Sequence, residues 1–192
     1  MNSPVVPTAR SGRASLVDAL CYALSCLDHA RTVPLDSPTP CTAWDLEALL
    51  RHVDDSLTAL HEGITTGHVD IVPRARTEPV PASELLAAVG SRARRLLAAC
   101  LSPRVDPVVD VADRRLPTGV LTAVGTVEVA VHGWDVARAC GHDRPLPDAL
   151  AATVLELLPL VAGTGRFAPP VPVPASAPPG DRVLALLGRD PA

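Results

Sequence analysis

Glu128 and His132 lie four residues apart in "TVEVAVHGWDVARACG", residues 126–141, with Asp135 three further on. Most of this stretch is Val, Ala and Trp, the material of a buried face. On a helix, an i, i+4 pair occupies one side, where a carboxylate and an imidazole can reach a single cation. His52, within "LEALLRHVDDSL", offers a third donor from another segment. Two imidazoles and one carboxylate form a known catalytic zinc set that leaves a fourth position open. Helical bundles commonly hold metals on facing helices in this way. Glu-x-x-x-His also occurs as a solvated edge or as a simple hydrogen-bonded pair, and the spacing alone does not choose between these readings.

The elements that must position these residues are helices. The spacing of Leu16, Leu20, Ala23, Leu24 and Leu27 predicts a first helix over about Ser15 to Ala30. A second follows "PLDSPTPC", with Thr42 as N-cap, an apolar stripe from Leu46 to Ile64, and Gly63 and Gly67 at its fraying end. Residues 68–82 read as a Pro-rich linker. A third helix covers about Ser83 to Leu101, and "SPRVDPVVDVADRRLPTG" breaks the pattern with room for a short extended piece. The fourth runs from about Thr118 to Cys140, with Gly141 as its terminator, and a fifth covers about Pro147 to Val161. The Pro-rich "RFAPPVPVPASAPPG" and a short helix in "DRVLALLGR" complete the chain, with residues 162–192 expected as a strap across the outside. On the fourth helix the apolar stripe centres on Val120, Val124, Val127, Val131 and Trp134, which places Glu128, His132 and Asp135 on its flank.

Asp135 has two functional readings, an acceptor that orients His132 or a general base beside a metal. Its structural alternative is a surface pair with Arg138 or Arg115. Ser56, one turn past His52, and Arg138 are candidates to touch a bound cosubstrate. Arg138 and the Arg114–Arg115 pair would meet anionic groups, because all 17 basic residues are Arg and the planar guanidinium binds carboxylate in two-pronged fashion. Arg51 and His61 read as solvated, and His29, His68 and His142 as helix-end or linker residues. Trp134 reads as core. Cys41 precedes a helix N-terminus that can lower a thiol pKa, against the simpler reading of packing on Leu46.

Composition bounds the function. The chain has 192 residues, 47% hydrophobic but only 2% aromatic, so one domain with a Leu, Val and Ala core is expected. A net charge of −4 without a basic run argues against nucleic acid. The absence of a signal-like apolar start and of a long apolar run implies a cytoplasmic protein with no membrane partner. Five cysteines read as buried hydrophobes rather than a disulfide framework.

"PTPCTAWDLEALLRHV" and, about 75 residues later, "VEVAVHGWDVARACG" resemble the DinB-like metal-binding bundle superfamily. More narrowly, they resemble the actinobacterial group related to the N-terminal domain of mycothiol-dependent maleylpyruvate isomerase. The closing "DRVLALLGRDP" is similar to the tail of a single-domain branch of that group. This resemblance, over roughly residues 14–190, implies an all-α, up-and-down four-helix bundle with an additional C-terminal helix and a Pro-rich strap. It implies a flexible start (1–14), the bundle (15–165), and the strap with its short helix (166–192). The superfamily's metal ligands fall on His52, Glu128 and His132. The ligand set favours zinc, with nickel and iron as alternatives. The implied activity is S-transfer or isomerisation of a small molecule with a mycothiol-like thiol as cosubstrate. The alternatives are a metal-dependent hydrolase, lyase or cyclase, or a non-catalytic metal- or ligand-binding protein. The isomerase carries a second domain that about 30 residues after the fifth helix cannot supply, so a different substrate or a homodimer partner providing the missing wall is expected.

Overall fold

Thr8 and Asp45, not Ser15 and Thr42, start the first two helices. Helix α1 (Ala9–Leu27) begins where the Thr8 side chain accepts from the Ser11 N–H at 3.2 Å. Helix α2 (Leu46–Thr66) begins where the Asp45 carboxylate accepts from the Ala48 N–H at 2.8 Å. Thr42 cannot cap because "CTAW" is folded into a turn: the Trp44 N–H donates to the Cys41 carbonyl and the Thr39 hydroxyl to the Trp44 carbonyl. The remaining helices are α3 (Ala82–Cys100), α4 (Thr118–Ala139), α5 (Asp148–Val161) and α6 (Pro179–Leu186). These come from a computed structural model that describes residues 6–28, 33–70, 81–161 and 167–191. His29, most of the expected linker, and the start of the expected strap at 162–166 lie outside the described residues.

The break between α3 and α4 is more ordered than its sequence suggests. Strands β1 (His68–Val69), β2 (Val108–Val111) and β3 (Arg114–Pro117) form a small sheet in that order. β1 pairs parallel to β2, and β2 and β3 form an antiparallel hairpin that places Val109 opposite Leu116. Strands of two to four residues are too short to show alternation, and the partner of β1 lies some forty residues away in sequence, so periodicity misses them.

Four helices close a ring of contacts: α1 on α4, α4 on α2, α2 on α3 and α3 on α1, while α5 packs on α4 and α6 on α5. Leu16, Leu20, Leu49, Leu50, Leu57, Leu96, Val127 and Val131 fill its interior. Each such side chain contributes roughly 1.5–3 kcal/mol on burial. The α1–α4 contact is the most intimate, and Gly133 permits it: a Cβ there would sit 3.1 Å from the Ala23 Cα.

Helix α4 departs from the expected amphipathic pattern. From Gly125 to Ala137 every residue is buried, whichever way it points, whereas Val120 and Val124 of the expected stripe are partly exposed. A helix apolar on all sides belongs in the middle of a fold rather than on its surface. The expected flank of α4 is therefore interior, and the polar residues on it must find partners there. No described helix is long and apolar enough to cross a membrane.

Candidate metal centre

Helices α2 and α4 bring the three predicted donors together. His52 Nε2 lies 3.3 Å and His132 Nε2 3.2 Å from the same carboxylate oxygen, Glu128 Oε2. One ligand atom from each of the three residues fits within 4.8 Å of the others. A tetrahedral zinc ion about 2.1 Å from its donors would hold them about 3.4 Å apart. Two of the three separations already match that length, and the donor chemistry suits a borderline cation, so the residues fit a divalent metal.

The three donors differ in environment. The side chains of Glu128 and His132 are 7% and 5% exposed, while that of His52 is 30% exposed. His52 therefore forms the open side. Burial by itself would raise the Glu128 carboxyl, but hydrogen bonds from His132 and His52 outweigh it and bring its pKa down to about 2. Burial likewise opposes a charged His132, and the carboxylates of Asp135 and Glu128 more than offset it, so its pKa is raised. Without a metal, this is a negative carboxylate clasped between two imidazoles.

Behind His132 stands Asp135, fully buried. Its Oδ2 accepts from His132 Nδ1 at 2.9 Å, which leaves Nε2 facing Glu128. The same carboxylate takes both prongs of Arg189, Nη2 at 2.8 Å and Nε at 3.3 Å. The partner expected from sequence was Arg138 or Arg115, and the observed partner is Arg189. Asp135 is thus enclosed, with both oxygens engaged, which favours the orienting role over that of a general base. Burial would lower the Arg189 guanidinium, but the adjacent carboxylate keeps it charged.

Aromatic rings wall the donors, in a chain that has one Tyr, one Phe and two Trp. Trp44 lies 4.6 Å from the His52 ring and 5.8 Å from His132, centroid to centroid. Phe167 stacks on His132 at 6.1 Å, and Arg189 lies over Phe167 at 5.2 Å. Sequence reasoning missed Trp44, Phe167 and Arg189. The signal available was scarcity: few aromatics exist, and Trp44 sits just ahead of the helix that carries His52.

The other predicted residues disperse. Ser56 is half-buried on α2, one turn past His52. Arg138 lies over the Trp134 ring at 5.5 Å, and Trp134 is core as expected. Arg114 and Arg115 are exposed on β3, with Arg115 3.9 Å from Asp110. Glu128 is about 15 Å further along α4 at 1.5 Å per residue, out of their reach. Arg51 is not simply solvated: it binds Glu47 at 2.6 Å and is partly buried. Cys41 lies in the turn before Asp45 rather than at the helix start, and burial raises its thiol pKa, so the dipole does not activate it.

A family model described as the mycothiol maleylpyruvate isomerase N-terminal domain matches residues 16–137. The matched span includes His52, Glu128, His132 and Asp135 and ends before Phe167 and Arg189. The chain is also similar to two uncharacterized proteins of Mycobacterium tuberculosis, from strains CDC 1551 / Oshkosh and ATCC 25618 / H37Rv. Each is 30% identical over 174 residues, covering 85% of this chain and 89% of the relative. No solved structure matches.

Proposed function

The chain belongs to the mycothiol maleylpyruvate isomerase N-terminal domain family, and from that premise we propose that it is a divalent-metal-dependent protein acting on a small molecule with a mycothiol-like thiol. His52, Glu128 and His132 are the ligands in this reading, zinc the preferred ion, and S-transfer or isomerisation the reaction class. The observation that carries it is one carboxylate oxygen within 3.3 Å of two imidazole nitrogens from different helices. The ring of α1, α4, α2 and α3 is read as the up-and-down bundle of DinB-like proteins, with the segment from Phe167 onward as its strap.

A divalent cation held there supplies the charge that lowers the pKa of a thiol or water at its open position. The chain's own residues do the rest. Asp135 holds the Nδ1–H of His132, so the ring presents Nε2 in a fixed direction. Trp44 and Phe167 keep water from the backs of the imidazoles. His52, with the exposed edge, borders the side by which a cosubstrate enters, and Ser56 lies one turn along the same helix.

Metal analysis of tag-free protein, beside the His52, Glu128 and His132 triple-alanine variant, tests the ligand set. One ion per wild-type chain and none per variant is expected, and equal content in both would refute the assignment. Cobalt-substituted protein titrated with a mycothiol-like thiol should gain sulfur-to-cobalt charge-transfer absorption. Absence of that band at saturating thiol would favour the alternative, a water-activating hydrolase or lyase.

A further inference from the structure

We infer that Arg189, from the C-terminal segment, is a positioning residue for this metal centre, acting through Asp135 on His132. The inference rests on the metal-centre reading, yet the Arg189–Asp135–His132 hydrogen bonds it is argued from involve no metal. Asp135 and Arg189 are 0% and 2% exposed, and they lie 54 positions apart in sequence. Every nitrogen of the guanidinium is used: Nε and Nη2 on Asp135, and Nη1 on the Leu187 carbonyl at 2.8 Å. Arg189 also interacts with Cys41 and is buried, so it is not placed to meet substrate. What it can do is fix the plane of the Asp135 carboxylate, whose Oδ2 receives the His132 Nδ1–H. A two-pronged guanidinium sets both position and angle, which a single ammonium does not. The imidazole is held from its face as well, by Phe167 of the same segment, itself covered by Arg189.

The backbone is built to deliver this side chain. Helix α6 ends with the Arg189 N–H donating to the Leu184 carbonyl and the Gly188 N–H to the Ala185 carbonyl. This is the paired closure that a left-handed residue allows. Gly188 takes φ +78°, and a Cβ there would lie 2.6 Å from that of Ala168. The chain therefore reverses at Gly188 and turns the next residue inward. Because the family match ends at residue 137, the element that locks the matched His132 comes from outside the matched span.

The test uses full-length protein and compares wild type with Arg189→Met, Arg189→Lys and, as a control, Arg92→Met. Arg92 forms another ion pair with a buried carboxylate, Asp54, at 2.6 Å, and that pair joins α3 to α2 rather than to α4. Zinc affinity is measured by competition with a chromophoric chelator, the site geometry by the cobalt d–d spectrum, and folding by circular dichroism and thermal melting. Loss of such a supporting partner weakens metal binding about 10–100-fold. That loss is expected for Arg189→Met, with an altered cobalt spectrum; Arg189→Lys should recover part of it, and Arg92→Met should keep wild-type affinity despite a lowered Tm. Should Arg189→Met fail to fold, Arg189→Lys alone carries the comparison. Wild-type affinity and spectrum in every folded Arg189 variant overturns the inference, as does equal weakening by Arg92→Met. Should the wild type bind no metal, the metal-centre reading falls, and positioning is read instead from the imidazole ¹⁵N shifts of His132 in the metal-free protein. A Nδ1–H signal displaced in Arg189→Lys supports positioning, and an unchanged one overturns it.

Discussion

Helices α2 and α4 both carry donors of the candidate centre, but they hold them differently. α2 is amphipathic: its Leu face is buried and His52 lies at the edge, with a side chain 30% exposed. α4 is buried all round, and its Glu128, His132 and Asp135 are connected to one another and, through Asp135, to Arg189. Removing a partner from a buried charged network leaves an uncompensated group, whereas a group at the edge regains water. The contrast assigns fixed geometry to α4 and access to α2. It separates two properties, metal affinity and fold stability, that a ligand substitution would otherwise mix.

The largest effect expected is from Glu128→Gln. It keeps the shape but removes the charge that both imidazoles share, so zinc affinity should fall by at least about 100-fold, since the one anionic donor of the three becomes a neutral amide. Chelator competition reads this, and retention of tight binding would remove Glu128 from the ligand set. Next come the two histidines. His132→Ala and His52→Ala should each weaken zinc binding by no more than that, yet differ in stability without metal. His132→Ala should cost about 3 kcal/mol, in the range for breaking a buried charged pair. His52→Ala should cost about 1 kcal/mol or less, as its side chain is partly solvated. Urea unfolding of the metal-free proteins decides, and equal losses would erase the contrast.

The pH dependence of the metal-free protein sharpens it further. The folded-state pKa of Glu128 lies at about 2 against an ordinary 4.5, so its contribution is present above 4.5 and is lost as pH falls toward 2. His132 is shifted upward from 6.5, so its contribution is complete below 6.5 and is lost as pH rises through the higher folded value. Stability from this network should therefore peak between 4.5 and 6.5. Glu128→Gln should flatten the acid limb in urea midpoints taken across pH, and His132→Ala should flatten the alkaline one. The smallest effect belongs to the start of α2. Asp45→Ala removes its cap and should cost about 1 kcal/mol in urea unfolding. Metal affinity should change several-fold at most, through Trp44, the residue before Asp45, which lies against His52.

Much of the helical frame was legible locally. Periodicity located the helices, and Gly141 did terminate α4: it takes φ +71°, and the His142 N–H reaches back to the Ala137 carbonyl. Helix starts were less legible. Thr42 and Asp45 are both good caps by type, and the turn held by Thr39 decided between them. The Glu128–His132 pair was readable because an i, i+4 relation is fixed by helix geometry alone. Its meaning depended on His52, 76 positions away: donor type alone made the three a candidate set, and the resemblance favoured that reading over a plain hydrogen-bonded pair.

Periodicity of 3.6 residues, stop signals and side-chain type act within a few turns, and they are enough for the helices and for the Glu128–His132 donor pair. Tertiary structure decided which side of α4 counts as interior, and it buried the flank on which Asp135 was expected to meet solvent. It also chose Arg189 over Arg138 as the partner of Asp135. Arg138 is nearer in sequence, but it lies against Trp134, whereas the reversal at Gly188 carries a distant guanidinium to a fully buried carboxylate. A buried charge must be met by whatever the fold brings to it, and that is set by packing rather than by distance along the chain.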